Sequence, residues 1–135
     1  RLWILPAVGR ESAITLVRHR DAVEVAHDVA CKRVFEAIMD RPGSEPSVEL
    51  KRTRARIPLE AAPRIVAAPS KFVELSQRPF VRSTRYEVSD GVGYRHRLVA
   101  DGQSVETVWG HLFEEDHLDQ IALRDAYHQC ADLAA

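Results

Sequence analysis

The chain has 135 residues, of which 45% are hydrophobic and 29% are charged, a composition typical of one folded domain spanning residues 1–135. The 19 basic and 20 acidic residues give a formal net charge of -1, so no field of the whole chain attracts nucleic acid or an anionic membrane. No apolar run reaches the roughly 18 residues that span a bilayer. We therefore expect neither nucleic acid nor a membrane as a partner.

The two cysteines, Cys31 and Cys130, lie far apart, and neither belongs to a Cys-x-x-Cys pair. So few cysteines do not make a disulfide scaffold, and free cysteines often pack as small apolar side chains. We expect both to be core residues of a cytoplasmic protein.

Alternating β-branched residues predict three strands in the first half of the chain, at residues 14–17, 23–29 and 48–57. The apolar residues of the third segment change parity, which favours a β-bulge or a bend there. The same segment places Arg52, Arg54 and Arg56 at alternate positions. No aromatic residue interleaves them, so we interpret these arginines as a solvated outer face.

A helix is predicted at residues 30–39, where apolar residues recur at spacings of three and four. Asp28 is available as its N-cap, and Pro42-Gly43 ends it. Three prolines leave residues 58–69 open between an edge strand, a turn and a short helix. Two further strands are predicted at residues 72–75 and 82–88.

The Asp101-Gly102 dipeptide is a type I′ turn signal between two alternating runs, residues 93–100 and 103–115. A two-residue turn here pairs residues whose numbers sum to 203, so that Tyr94 faces Trp109 and His96 faces Thr107. On the other face the same register predicts an ion pair between Arg97 and Glu106.

This register collects polar and aromatic residues on one face of the hairpin. We take His96, His111 and Tyr94 as candidate catalytic residues, and the candidate ligand-binding residues are Tyr86, Thr107, Trp109 and Phe113. Apolar walls with a few polar groups suit a pocket for a partly hydrophobic molecule.

Three interpretations of these residues remain open at the level of sequence. Inward histidine and tyrosine side chains are common as hydrogen-bonded core residues. Two histidines near a tyrosine could also serve as general acid and base near neutral pH. Metal binding is disfavoured because no carboxylate or thiol completes a ligand set, and no nucleotide, zinc-protease or serine-hydrolase motif is present. We therefore predict no metal and no cofactor.

Two segments resemble the START-like superfamily, which includes the Bet v 1-like proteins and the polyketide cyclases. Residues 25–40 look like the first strand and short helix of that family. Residues 104–113 look like its late strand, which often ends in His-x-Phe, here His111-Leu112-Phe113. The resemblance implies an α+β helix-grip fold, in which a curved antiparallel sheet packed on helices encloses a cavity for hydrophobic molecules.

The NTF2-like cone, home of the SnoaL-type cyclases, is the alternative fold. Residues 119–127 distinguish the two, because they can be read as a helix or as a strand that extends the hairpin. A helix fits the START-like interpretation, and a strand fits the NTF2-like one.

The expected function is binding of a small hydrophobic or aromatic molecule in an internal cavity. If the protein is an enzyme, His and Tyr acid–base chemistry would catalyse cyclisation, dehydration or isomerisation. The alternative is a non-catalytic structural domain whose hairpin face is a packed core or the interface of a homodimer.

Overall fold

The computed structural model describes residues 1–40, 42, 43, 45, 47–84 and 91–135, except for the side chain of residue 35. The described chain has six strands, four α-helices and a short 3-10 turn at Leu59–Ala61. The strands are β1 (Leu2–Pro6), β2 (Ser12–Arg18), β3 (Ala22–Ala30), β4 (Leu50–Pro58), β5 (Val92–Ala100) and β6 (Gln103–Trp109). The helices are α1 (Val34–Asp40), α2 (Arg64–Ala67), α3 (Pro69–Ser76) and α4 (Leu118–Ala134).

The strands form one curved antiparallel sheet in the order β4-β3-β2-β1-β5-β6, which confirms the predicted α+β class. The sheet does not close, because among the described strands β4 and β6 each have a neighbour on one side only. Strand β1 was not predicted, yet it lies inside the sheet, where Leu2 pairs with Ile14 on one side and with His96 on the other.

One face of the sheet is covered by helices and forms the core. Helix α4 packs on β2, β3 and β4, while α3 contacts both α4 and β5. Residues three or four apart along α4 share one buried stripe, as an amphipathic helix requires. That stripe consists of Leu123, Ala126, Tyr127 and Cys130. Among the described residues, none of the helices combines the length and the apolar character needed to cross a membrane.

The opposite face of the sheet is open and rich in arginine. Arg52, Arg54 and Arg56 of β4 are all exposed there, as the sequence predicted. Asp28 lies on the same face opposite Arg52 and is only 4% exposed. Asp28 is therefore a strand residue, and its predicted role as the cap of a helix was wrong.

The predicted hairpin is confirmed, with Tyr94 opposite Trp109, His96 opposite Thr107 and Ala100 opposite Gln103. Asp101 and Gly102 have φ angles of 51° and 74°, as a type I′ turn requires. The predicted ion pair between Arg97 and Glu106 does not form. Glu106 instead accepts a hydrogen bond from Arg95. Arg97 donates to Ser104 Oγ at 3.0 Å.

Several predicted boundaries need correction. Helix α1 begins at Val34, because residues 28–30 continue β3. Strand β6 ends at Trp109, so His111 and Phe113 do not belong to it. The expected bulge is absent from β4, whose pairing with β3 keeps one register from Leu50 to Pro58.

The segment at residues 72–75 is helical and not a strand. Pro69 occupies the first turn of α3, a position that proline favours because its missing N–H has no intrahelical partner. Residues 119–127 lie in α4, so the helical alternative is the correct one. Residues 82–84 are not in a strand, and residues 85–88 of that predicted strand lie outside the described residues.

The cysteines differ from each other. Cys130 is fully buried in the core, as expected, whereas Cys31 follows β3 and is exposed, so its predicted place in the core was wrong. Both are free thiols.

Candidate functional site

Five ring side chains meet between the sheet and helices α3 and α4, and we refer to them as the ring cluster. They are Phe72, Tyr94, His96, Trp109 and Tyr127. His96 is 0% exposed, Trp109 is 2% exposed and Tyr94 is 6% exposed. Three residues that the sequence singled out are therefore brought together in the interior.

His96 lies at the centre of the ring cluster. Its ring stacks on Trp109 with centroids 5.3 Å apart and an interplanar angle of 19°. Tyr127 meets His96 edge-on at 5.6 Å, and Phe72 lies 6.2 Å away. Tyr94 completes the cluster, with its ring centroid 6.1 Å from that of Trp109. Aromatic walls thus surround one imidazole on several sides.

Local sequence patterns explain how these side chains reach one place. The type I′ turn fixes the hairpin register, and strand periodicity then directs Tyr94, His96 and Trp109 to the helix-covered face. Tyr127 lies on the apolar stripe of α4. Phe72 lies in α3, within residues 72–75 that the sequence predicts as a strand. Its place in the ring cluster is therefore not predicted from the sequence.

A hydrogen bond between His96 Nε2 and Tyr127 Oη, 3.0 Å long, links the sheet to α4. Tyr127 Oη also accepts a hydrogen bond of 3.1 Å from the backbone nitrogen of Arg1. In the arrangement in which the Tyr127 hydroxyl donates, His96 Nε2 is the acceptor and the single proton of the neutral imidazole lies on Nδ1.

Two nitrogen atoms of the ring cluster are buried without a hydrogen-bond partner among the described residues. They are His96 Nδ1 and Trp109 Nε1. The indole nitrogen can only donate, and His96 Nδ1 is a donor as well when Nε2 accepts from Tyr127. In that tautomer two neighbouring rings each carry a buried N–H that lacks an acceptor in the described part of the chain.

Burial lowers the pKa of His96 to about 3, because the charged imidazolium loses its hydration in the core. The imidazole is therefore neutral at physiological pH. Burial has the opposite effect on the phenol, and it raises the pKa of Tyr127. Neither group changes its protonation state near neutral pH, because the imidazole stays neutral and the phenol keeps its proton. His96 is therefore better suited to hydrogen bonding than to proton transfer.

The other predicted site residues are not members of the ring cluster. Thr107 is half-buried beside His96 in the hairpin. His111 is exposed, and its Nδ1 accepts a hydrogen bond of 3.3 Å from the backbone nitrogen of Val92. Phe113 is half-buried, with its ring 4.9 Å from that of His111. Tyr86 lies outside the described residues.

A second buried histidine, His117, was not predicted and has a structural role. Its Nδ1 accepts from the Phe113 backbone nitrogen at 3.0 Å, and its Nε2 donates to the Val81 carbonyl at 2.7 Å. The ring stacks on Phe80 at 4.7 Å. Both ring nitrogens are paired, so His117 fastens the segment before α4 to residues 80 and 81.

The described residues contain no group of three or more His, Cys, Asp or Glu side chains placed to hold a metal ion. The ring cluster itself offers ring nitrogens and hydroxyls without a carboxylate. Polar atoms of this kind can form hydrogen bonds with an uncharged oxygen or nitrogen atom of a ligand.

Comparison of the chain with protein-family models, with curated proteins and with solved structures gave no match.

Proposed function

We propose that this protein binds a small, partly hydrophobic molecule at the ring cluster, between the sheet and helices α3 and α4. In this proposal the curved sheet and α4 form a helix-grip arrangement that encloses the molecule. The ligand is rich in apolar or aromatic carbon and carries a hydrogen-bond acceptor such as a carbonyl oxygen. Both cysteines are free thiols, which supports a location in the reducing cytoplasm.

The observation that carries the proposal is the pair of buried, unpaired nitrogens, His96 Nδ1 and Trp109 Nε1. More than about 90% of buried polar groups in proteins have a partner, and an unpaired one costs about 1–3 kcal/mol. The two unpaired groups lie on stacked rings, and together they lower the stability of the protein. A ligand oxygen that accepts hydrogen bonds from them would remove this cost. The adjacent rings of Phe72 and Tyr94 supply apolar surface for the rest of the molecule.

The chemistry of the pair suits a carbonyl compound. In this proposal both N–H groups donate to one carbonyl oxygen of the ligand, where they would also stabilise the negative charge of an enolate, as an oxyanion hole does. An enolate forms only when a base takes the α-proton of the ketone, and the ring cluster supplies no such base, so the proposal is limited to binding and polarisation of the carbonyl group without a cofactor. His96 then acts as a donor, since its low pKa leaves it a weak base.

The test uses the fluorescence of Trp109 as the reporter. The chain has two tryptophans, so Trp3→Phe provides a background in which only Trp109 emits. A panel of aromatic and polycyclic ketones is titrated into this protein, alongside matched hydrocarbons without the carbonyl. The proposal predicts saturable changes in emission with the ketones and weaker binding of the hydrocarbons.

Two conservative variants locate the site. Phe72→Leu alters the wall, and His96→Gln replaces the imidazole by a polar side chain. Each is expected to weaken ketone binding by about tenfold, the equivalent of one hydrogen bond or of lost ring contact. The exposed His111 supplies the control, because His111→Gln leaves the ring cluster intact. A lack of binding by the whole panel, together with one ordered water on both nitrogens in a high-resolution structure, would refute the proposal.

The second candidate function is that of a structural domain that forms a homodimer. The edge strand β6 supports it, because β5 is its only partner within the described ranges and Val105 and Val108 are 36% and 68% exposed. An unpaired edge with exposed valines can pair with a second copy. Sedimentation equilibrium of the native chain and of Val108→Lys tests this function, which predicts a dimer that the lysine dissociates. A monomeric native chain would exclude it.

A further inference from the structure

A pocket that is separate from the ring cluster lies at the end of the sheet, near the connection between β1 and β2. Its volume is about 340 Å³. We refer to it as the basic pocket, and its lining residues are Arg10, His27, Val29, Ala30, Cys31, Lys51 and Thr53. The volume falls at the lower end of the range for small-molecule sites, roughly 300–1,000 Å³, and so suits a metabolite better than a polymer.

The strand register explains why these side chains project together. His27 pairs with Thr53 and Val29 pairs with Lys51 in the β3–β4 ladder, so all four share one face of the sheet. Arg10 comes from the loop between β1 and β2, and Cys31 follows β3 directly. The pocket is thus built on two paired strands and completed by the residues at their ends.

Its charge is one-sided. Three of the lining residues carry basic side chains, and none of the described lining residues is acidic. Arg10 and Lys51 form no ion pair with a carboxylate among the described residues. Cations gathered without counter-ions repel one another, and a bound anion removes that repulsion. The guanidinium offers a planar fork, the ammonium a point charge and Thr53 a hydroxyl donor.

We propose that the basic pocket binds a small molecule that carries a compact anionic group, a phosphate or a carboxylate. Arg10 and Lys51 hold the anion from opposite sides, and His27 and Thr53 donate hydrogen bonds to its oxygens. Val29 provides an apolar wall for the uncharged part of the molecule. The site is independent of the ring cluster and adds a second ligand class to the protein.

Cys31 supplies a direct test, because its exposed thiol lies in the pocket while Cys130 is buried. Iodoacetate and iodoacetamide alkylate a thiolate by the same step, in which a C–S bond forms and iodide leaves, but only iodoacetate is an anion. The ratio of their rates at Cys31 is compared with the ratio for N-acetylcysteine amide. Attraction by the pocket predicts that the ratio rises about fivefold in favour of iodoacetate.

Matched variants separate the pocket from the net charge of the chain. The double variant Arg10→Gln and Lys51→Gln removes the two cations, and its rate ratio is expected to fall to that of the free thiol. The control variant Arg64→Gln and Lys71→Gln has the same change in charge at exposed positions on α2 and α3, and it keeps the native ratio. The rate with neutral iodoacetamide reports whether Cys31 is still accessible in each protein.

Protection by added anions identifies the class of ligand. At constant ionic strength set with chloride, inorganic phosphate or pyrophosphate is expected to slow alkylation of Cys31 by both reagents if the anion is a phosphate. Acetate and citrate are expected to do so if it is a carboxylate. The proposal is overturned if the native rate ratio equals that of the free thiol, if the control variant loses the preference equally, or if no anion protects Cys31.

Discussion

His96 of β5 and Tyr127 of α4 are joined by a hydrogen bond of 3.0 Å, which ties the middle of the sheet to the C-terminal helix. The bond uses Nε2 of the imidazole, and the other ring nitrogen, Nδ1, is buried without a partner among the described residues. This arrangement links the stability of the fold to the candidate binding site, because the same ring serves both.

The stability of the protein is expected to depend on the protonation of His96. Its pKa is about 3 in the folded protein, against about 6.5 in an unfolded chain. Between these values the unfolded chain binds a proton that the folded protein does not, so acid favours unfolding. The free energy of unfolding should fall by about 1.4 kcal/mol per pH unit as the pH decreases from about 6.5. Urea titrations between about pH 7 and pH 4 measure this slope, and His96→Gln should reduce it; an unchanged slope in the variant would contradict the prediction.

Tyr127→Phe should destabilise the protein by about 1–2 kcal/mol, because it leaves His96 Nε2 without its partner in the core. The double variant with His96→Gln completes a cycle in which the coupling between the two positions is measured. Groups in direct contact commonly show coupling of about 0.5–3 kcal/mol. Additive effects of the two substitutions on urea unfolding would mean that the hydrogen bond contributes nothing to stability.

Asp28 and Arg52 form the central ion pair of the open sheet face. Asp28 is buried and accepts two hydrogen bonds from the Arg52 guanidinium, which hold the pKa of its carboxyl below the usual range. A lowered folded pKa stabilises the protein above the unfolded pKa of about 3.9, and this contribution is lost as the pH falls through the folded value.

Arg52→Gln should therefore destabilise the protein near neutral pH, because Asp28 loses both hydrogen bonds, at a cost that the partial exposure of Arg52 reduces. The cost should shrink below about pH 3.9, where protonation of Asp28 begins in the variant. Arg54→Gln, on the same strand and face, is the matched control and should change the free energy of unfolding by less than about 0.5 kcal/mol. Equal effects of both substitutions at neutral pH would show that the Asp28–Arg52 ion pair does not contribute to the free energy of unfolding.

The features that the sequence predicted well are those determined by local rules. The Asp101-Gly102 turn requires positive φ at two residues, and strand periodicity then determines every pair from Tyr94–Trp109 to Ala100–Gln103. The apolar stripe of α4 was visible for the same reason, since Leu123 and Tyr127 are one turn apart. In both cases the physical cause acts within a few residues.

The features that the sequence did not predict depend on distant partners. Strand β1 is short, and only its position between β2 and β5 gives both its edges hydrogen-bond partners. Residues 72–75 alternate weakly, so the packing of α3 on α4 and β5 decides their conformation. Phe72 belongs to the ring cluster because this segment is a helix that packs against α4 and β5. The unpaired nitrogens of His96 and Trp109 follow from tertiary packing, which a hairpin register alone does not specify.

The turn of the β5–β6 hairpin should be sensitive to Gly102 because of its backbone conformation alone. Gly102 has φ of 74°, and a Cβ added there would meet no atom within 4 Å. Gly102→Ala should thus destabilise by about 1 kcal/mol, the usual penalty for an L-residue in the left-handed region. Gly93 is the control within the same hairpin: its φ is not in that region, and an added Cβ would make ordinary contacts at 3.8 Å. Gly93→Ala should be neutral or stabilising, and equal losses in thermal unfolding would contradict the conformational argument.

Packing of α4 on the sheet should be a main source of stability, and two leucines of that helix measure it. Leu123 is 0% exposed in the core, whereas Leu118 is 69% exposed at the start of the same helix. Leu123→Ala should cost about 2–5 kcal/mol, because it removes buried methyl groups and leaves a cavity between α4 and the sheet. Leu118→Ala removes the same atoms from a site that water already reaches, so its effect should stay within about 0.5 kcal/mol. Urea unfolding of both variants, with far-UV circular dichroism as the readout, gives the comparison. A small effect at Leu123 would mean that α4 is only loosely attached to β2–β4, which would in turn weaken the case for an enclosed site at His96 and Trp109.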